Sequence, residues 1–179
     1  PQAFTSSVSE RAALPINWWE SRLTSRLDLV LGAFEAGQLV GMVGLALEPR
    51  AKARHKATLF GLYVSAAHGR QGLGQQLLQA ALDEARRHPF LRLVQLTVTA
   101  GNDPAVKLYQ RCGFVLYGLE PMAIRVDDEY FDKIHVTWRH FITIIIAKQD
   151  IIRYHRMTKP VRRGGKTVQN IRSYVIFVS

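Results

Sequence analysis

The sequence predicts a single α/β domain built on a mixed β-sheet that is flanked by helices. Apolar runs of strand length alternate with amphipathic stretches of helical spacing, in the order strand-strand-strand-helix-strand-helix-strand-strand. A glycine-rich loop joins one of these strands directly to the longer amphipathic helix. With 179 residues, 47% of them hydrophobic, the chain is long enough to bury a substantial core.

The first element that we predict is a short helix over 16–23, with Asn17 as its cap. Two strands follow over 29–35 and 38–48, where strand-forming and small residues predominate. Ala36-Gly37 separates them, and such a pair is typical of a tight hairpin turn. We therefore expect two antiparallel strands early in the domain.

The middle of the chain predicts a loop, a strand and a long helix. The polar stretch 49–56 indicates a solvated loop, and the apolar run 57–65 indicates a strand in which Gly61 favours a bulge. A helix then begins at Leu73 and ends before Pro89. Its predicted buried face consists of positions 73, 77, 78, 81, 82 and 85.

The C-terminal part of the predicted domain contains one helix and several strands. A strand covers 93–99, and Asp103-Pro104 opens a helix that stops at Gly113. Asp127-Asp128-Glu129 predicts a hairpin turn near the end of the domain. The strands around this turn are predicted at 113–118, 122–126 and 130–139.

The charge distribution favours a mildly basic enzyme with a basic extension over a DNA-binding core. The formal net charge is +10, but eight Lys or Arg and one acid lie after residue 140, so the tail carries +7 and the body +3. Nucleic-acid binding through this tail is the weaker alternative. The single cysteine, Cys112, excludes an internal disulfide, and no Cys/His spacing suits zinc, so we expect a cytoplasmic protein without a metal. The purely apolar runs near the C-terminus, such as Ile144–Ala147, are far below the roughly 20 residues of a membrane helix.

The loop from His68 to Gly74 carries the main functional signal. Its glycines let backbone N–H groups approach a ligand, and the following helix points its positive dipole end at the same place. Such a loop is suited to a phosphate or pyrophosphate. Leu77 stands where a dinucleotide-binding fingerprint needs glycine or alanine, and Pro160 stands where a Walker A loop at 165–167 needs its first glycine.

This loop resembles the pyrophosphate loop of the GNAT acetyltransferase superfamily, Arg/Gln-x-x-Gly-x-Gly/Ala. Gly72 and Gly74 match its last positions, whereas Gly69 stands at the first and Arg70 follows it. A second block, Asn102 to Phe114 (NDPAVKLYQRCGF), resembles the family's Asn-x-x-Ala-x-x-Leu-Tyr-x-x-x-Gly-Phe. The resemblance covers about 1–139, which is the predicted catalytic domain, and leaves 140–179 as a basic extension.

The resemblance implies an N-acetyltransferase that moves acetyl from acetyl-coenzyme A to a primary amine of a small molecule, amino acid or peptide. Asn102 would bind the coenzyme near the reacting thioester, and Tyr109 would protonate the departing thiolate. A backbone N–H near Tyr63 or Val64 would polarise the carbonyl. The implied coenzyme-binding residues are Leu62, Tyr63, Val64, Gly69, Arg70, Gln71, Gly72, Leu73, Gly74, Asn102, Ala105 and Tyr109.

Several roles stay open at this point. The candidates for a general base are Glu48, Glu120, Asp127 and His135, and an amine that is already neutral would need none. Because 57–64 contains no Asp or Glu, a catalytically silent acyl-coenzyme A sensor is the alternative to an enzyme.

Four further side chains, two tryptophans and two histidines, can be explained without a role in catalysis. The side chains of Trp18 and Trp19 either line the amine pocket or pack in the core. We expect His55 and His68 to be solvated.

The resemblance also suggests that the sequence starts inside the fold, since the family has a strand and a helix before the region that begins here with Pro1. The segment 142–146 has the pattern of such a strand and is followed by a plausible helix start. One hypothesis is that it fills the vacant sheet edge, in its own subunit or in that of a homodimer partner. A disordered basic extension is the alternative.

Overall fold

The computed structural model describes residues 5–25, 27–139, 161–163 and 166–170. It confirms an α/β fold with a mixed sheet and flanking helices. The elements, in chain order, are α1 (Val8–Ala12), α2 (Ile16–Thr24), β1 (Asp28–Glu35), β2 (Gln38–Leu47), β3 (Lys56–Val64), a 3-10 turn (Ala66–His68), α3 (Leu73–Arg87), β4 (Leu93–Thr99), α4 (Asp103–Arg111), β5 (Val115–Val126), β6 (Glu129–Arg139), β7 (Val161–Arg163) and β8 (Lys166–Asn170).

The strands form one sheet in the order β5-β6-β4-β3-β2-β1-β8-β7. Among the described strands, β3 and β4 are the parallel pair, and all other neighbours are antiparallel. The pairing of β3 with β4 extends over three residue pairs, from Lys56↔Leu93 to Thr58↔Gln95. Beyond these pairs the two strands have no common ladder, so the sheet opens into a gap towards their C-terminal ends.

Helix α3 covers the sheet with the apolar face that its periodicity predicts. All six predicted positions, 73, 77, 78, 81, 82 and 85, are buried, and Leu77, Leu78 and Leu82 are fully so. They pack in one core cluster with β-sheet residues such as Val43 and Val94 and with Tyr109 of α4. The long helix is therefore held at a fixed position over the centre of the sheet.

The β1–β2 hairpin is also confirmed. Asp28 to Glu35 pairs with Gln38 to Ala46, and the turn residues Ala36 and Gly37 have φ of 49° and 82°. Two successive left-handed residues form the turn whose twist suits an antiparallel pair. Glycine adopts this conformation freely, whereas Ala36 carries some backbone strain.

At the N-terminus the predicted cap is wrong. Pro15 is the cap residue of α2 and makes no side-chain cap bond, so Asn17 lies inside the helix. The extended backbone and preset φ of proline start the helix without a side-chain acceptor. The preceding helix α1 was not predicted, although Ser7 and Glu10 form the reciprocal capping box that is a signature in sequence.

The prediction of separate strands at 113–118 and 122–126 is wrong, because β5 is one strand from Val115 to Val126. Its register with β6 shifts between Glu120 and Ile124, and Met122 has a φ of 51°. The Met122 N–H donates a hydrogen bond to Asp132 Oδ1 at 2.8 Å. An irregularity inside a continuous strand therefore replaces the expected break.

The sheet edge beyond β1 is occupied by β8, which pairs from Leu31↔Asn170 to Phe34↔Thr167. The segment predicted to fill this edge, 142–146, lies outside the described residues. Within the part of the chain that the structure describes, no helix is long and apolar enough to cross a membrane.

Candidate functional site

The end of β3 carries the bulge predicted at Gly61. Met42 of β2 pairs with Tyr63 and Gly44 pairs with Phe60, so two residues of β3 face a single residue of β2. Gly61 has a φ of 61°, a conformation that glycine adopts without cost. The bulge lies just beyond the residues that pair with β4, so it borders the gap in the sheet. Tyr63 is half exposed there.

The predicted phosphate loop leads from the 3-10 turn into α3. Residues 69–72 are exposed, and Arg70 and Gly72 have φ of 59° and 78°. Gly72 is the N-cap of α3, and the Gln76 N–H is bonded to the Gly72 carbonyl at 3.1 Å. The amides of residues 73–75 therefore precede the helical ladder and point out of the helix end. Leu73 is only 1% exposed, which anchors the loop to the core.

Gly74 shows that the two sequence blocks meet in space. A Cβ added to Gly74 would lie 3.5 Å from Leu108 Cδ2 and 3.7 Å from Val64 Cγ2. The first turn of α3 thus lies beside both α4 and the end of β3. The predicted phosphate loop, the bulged strand and the second block therefore converge at the open end of the β3–β4 gap.

Asn102 and Ala105 lie at the start of α4. The Asn102 side-chain oxygen accepts a hydrogen bond from the Ala105 N–H at 3.3 Å, which caps the helix. This contact uses the carbonyl oxygen and leaves the side-chain amide group as the donor that could face a ligand. Ala105 is half-buried against the core.

Tyr109 is the most buried polar side chain of the predicted site, at 8% exposure. Its ring packs edge-on against Phe114 with centroids 5.7 Å apart. Burial raises the pKa of Tyr109 to about 12. In the described residues no side-chain N or O atom is both buried and without a hydrogen-bond partner. Because its pKa is about 12, the phenol is neutral and can donate a hydrogen bond throughout the pH range in which enzymes usually work.

Two of the four candidate bases are in contact with each other. His135 Nε2 lies 3.1 Å from Glu120 Oε2, and Tyr117 packs edge-on against the imidazole at 5.7 Å. His135 is paired with Thr97 of β4, on the sheet face opposite α3. Glu48 instead pairs with Arg50 in the β2–β3 loop.

The fourth candidate base, Asp127, lies in the β5–β6 turn, where its carbonyl accepts a hydrogen bond from Arg125 Nε at 2.6 Å. Cys112 is half-buried, and this burial raises the pKa of its thiol, so the residue is suited to packing and not to nucleophilic attack. Trp18 is half-buried, with Arg11 6.0 Å from its ring centre. The described residues include no group of three or more potential metal ligands.

The expectation that His68 is solvated is wrong. Its Nδ1 lies 2.6 Å from Ser65 Oγ, its Nε2 lies 2.7 Å from Glu35 Oε2, and its side chain is 17% exposed. Sequence reasoning missed this arrangement because Glu35 is 33 positions away, on a different strand. No local pattern signals such a pair.

Comparisons with known proteins agree on one family. A model described as the acetyltransferase (GNAT) family matches residues 2–114, well over half of the chain. L-amino acid N-acetyltransferase AaaT of Escherichia coli (strain K12) is 27% identical over 115 residues, which cover 64% of this chain and 70% of that protein.

Solved structures have the same fold. An acetyltransferase of the GNAT family from Streptococcus pneumoniae has a TM-score of 0.64 and 29% identity, over 69% of this chain and 74% of that one. The structure of yncA from Salmonella typhimurium, solved with its cofactor acetyl-CoA, has a TM-score of 0.63 and 22% identity, over 77% of this chain and 79% of that one.

Proposed function

Since the chain belongs to the acetyltransferase (GNAT) family, we propose that it transfers the acetyl group of acetyl-coenzyme A to the primary amine of a small molecule, amino acid or peptide. The observation that carries this proposal is the convergence at Gly74. There the amides that precede the α3 ladder, the bulged end of β3 and the helix with Tyr109 all border one gap in the sheet.

The residues present fit the coenzyme in two respects. The loop from Gly69 to Gly74 offers helix-end amides that precede the α3 ladder and two residues in the left-handed conformation, an arrangement that suits a pyrophosphate. The edge of β3 at 62–64 faces the gap without a β4 ladder, so its backbone groups could pair with the amides of a pantetheine arm. Arg70 would add a positive charge beside the phosphates, and Gln71, Leu73, Asn102 and Ala105 would complete the contact.

The acetyl transfer needs a donor for the carbonyl oxygen and one for the sulfur. An N–H of the bulge near Tyr63 or Val64 would polarise the carbonyl while a neutral amine attacks it. Tyr109 would donate a hydrogen bond to the departing sulfur. The pKa of this phenol, about 12, is about 3.5 higher than that of a thiol, near 8.5. Full proton transfer from the phenol to the thiolate would therefore cost about 5 kcal/mol. Hydrogen-bond donation to the developing thiolate is therefore more favourable than early, complete proton transfer.

His135 is the best-supported base among the four candidates. The contact of its Nε2 with Glu120 Oε2 orients the ring, which is one way in which a carboxylate assists a histidine base. Its strand position next to Thr97 places it on the face of the sheet opposite Tyr109 and α3. An amine reaching the gap from that face would thus have the base on its own side and the coenzyme donor on the other.

The acceptor is proposed more narrowly from the relative that acts, by its name, on L-amino acids. We expect amino acids to be the first class to test, followed by peptide N-termini and small polyamines. Free thiol released from acetyl-coenzyme A measures turnover with each amine. The cytoplasmic location and the homodimer stay predictions from the sequence.

The experiment that tests the function is the substitution Tyr109→Phe. The Phe ring keeps the packing against Phe114, so stability should change little, while turnover should fall on the order of 100-fold because the sulfur loses its donor. Affinity for acetyl-coenzyme A, measured by calorimetry, should stay within about twofold. The matched control is Tyr130→Phe, which alters an exposed tyrosine of β6. Unchanged turnover in Tyr109→Phe would remove the donor role.

A catalytically silent acyl-coenzyme A sensor is the second candidate. It is favoured by one observation, the absence of Asp and Glu from residues 57–64 along β3. Saturable binding of acetyl-coenzyme A without thiol release from any amine in the panel would support the sensor and exclude the enzyme.

A further inference from the structure

Three side chains form a bridge between the phosphate loop and a distant strand. Ser65 Oγ lies 2.6 Å from His68 Nδ1, and His68 Nε2 lies 2.7 Å from Glu35 Oε2. Glu35 is the last residue of β1, and β2 separates that strand from β3 in the sheet. The Ser65–His68–Glu35 bridge therefore ties the end of β1 to the 3-10 turn that leads into Gly69–Gly74.

The chemistry of the groups decides how the bridge is hydrogen-bonded. An ionised Glu35 carboxylate only accepts, so His68 Nε2 carries a hydrogen and donates it. In the neutral imidazole Nδ1 is then an acceptor, and the Ser65 hydroxyl donates to it. Both ring nitrogens are engaged, which restricts the position and the rotation of the ring.

The 3-10 turn has one backbone anchor to the sheet, since the Ser65 N–H at its start donates to the Val40 carbonyl of β2 at 2.9 Å, and the bridge adds an anchor at its end. None of its residues, Ala66 to His68, is buried, so hydrophobic packing holds it weakly. The loop is in turn bonded to this segment: the Gly69 N–H donates to the Ala66 carbonyl at 3.2 Å, and Gln71 Nε2 donates to the Ala67 carbonyl at 3.2 Å. The position of the turn thus determines where the loop begins.

We propose that His68 is a positioning residue for coenzyme binding. It holds the upstream end of the loop through Glu35 and Ser65, while buried Leu73 holds the downstream end. With both ends held, the exposed amides of the loop are ordered before the diphosphate arrives, and less binding free energy is spent on ordering them. This inference rests on the proposed function, in which the loop binds the diphosphate of acetyl-coenzyme A.

The test uses calorimetry with acetyl-coenzyme A, together with steady-state kinetics on the best amine of the panel. His68→Ala and Glu35→Ala should each raise Kd and KM for acetyl-coenzyme A about tenfold, with kcat within about twofold. The double variant should be no weaker than either single one, since both remove the same bridge. His55→Ala is the matched control, because that histidine is exposed in the β2–β3 loop and should leave Kd unchanged.

A second readout separates positioning from general stability. Hydrogen exchange of the free protein should speed up at 69–74 in His68→Ala and stay unchanged in α3. Should the single variant not fold, Ser65→Ala removes only a hydroxyl and should show the same loop effect at a smaller size. A variant that melts earlier but binds with the wild-type Kd would overturn the proposal while leaving the proposed function intact. Absence of binding by the wild-type protein would overturn both.

Discussion

Two glycines with nearly the same left-handed backbone conformation allow a sharp test of the predicted phosphate loop. Gly72 and Gly37 have φ of 78° and 82°, and a Cβ added to either meets nothing within 4 Å. Alanine at either site therefore causes backbone strain without a steric clash. A left-handed alanine costs roughly 1–2 kcal/mol, so each variant should lose at least about 1 kcal/mol of unfolding free energy, and each kcal/mol corresponds to roughly 2–4 °C in Tm for a chain of this length.

The two variants should differ in coenzyme binding. Gly72 is the N-cap of α3, so relaxation of its φ rotates the peptide group before Leu73 and moves the amides that precede the helical ladder. Gly72→Ala should weaken binding of acetyl-coenzyme A about tenfold. Gly37→Ala should leave this binding unchanged, because Gly37 lies in the β1–β2 turn. Urea denaturation measures the stability loss, and calorimetry measures Kd. Equal stability losses with a wild-type Kd in Gly72→Ala would refute the assignment of the amides to the ligand.

Three further outcomes follow from the structure. Arg70→Gly should raise Tm by a few degrees, since it relieves strain of about 1 kcal/mol at a φ of 59°, and should weaken coenzyme binding by removing a cation; a lower Tm would contradict the strain argument. The pKa of Tyr109 is raised from 10.0 to about 12 in the folded protein. The contribution of the neutral phenol to the free energy of unfolding is therefore fully present below pH 10 and is lost as the pH rises to about 12. Urea titrations between pH 9 and 12 should show this loss, and it should be absent in Tyr109→Phe. Leu77→Ala, at a fully buried site, should lower the free energy of unfolding in urea by about 2–5 kcal/mol. The control Gln79→Ala, at an exposed position of the same helix, should change it by no more than about 0.5 kcal/mol.

The elements that sequence reasoning predicted well are those whose signals are local. The six buried positions of α3 follow from helical periodicity, and the Ala36-Gly37 turn follows from the conformations that those residues allow. The bulge at Gly61 is equally local. The misses have physical causes of a different kind. Asn17 could have been a cap, but Pro15 starts the helix two residues earlier, and β5 continues through Met122 because Asp132 of the partner strand satisfies its N–H.

By itself, the sequence determined the family resemblance and the local form of the loop, because glycine spacing, helix starts and apolar periodicity act over a few residues. Only the tertiary structure decided that Gly74 lies beside Leu108 and Val64, that His68 meets Glu35, and that burial raises the pKa of Tyr109. These features depend on how the sheet opens between β3 and β4 and on how α3 and α4 pack against it. Contacts between residues far apart in the chain, and the loss of solvent that accompanies them, arise only when the whole core has formed.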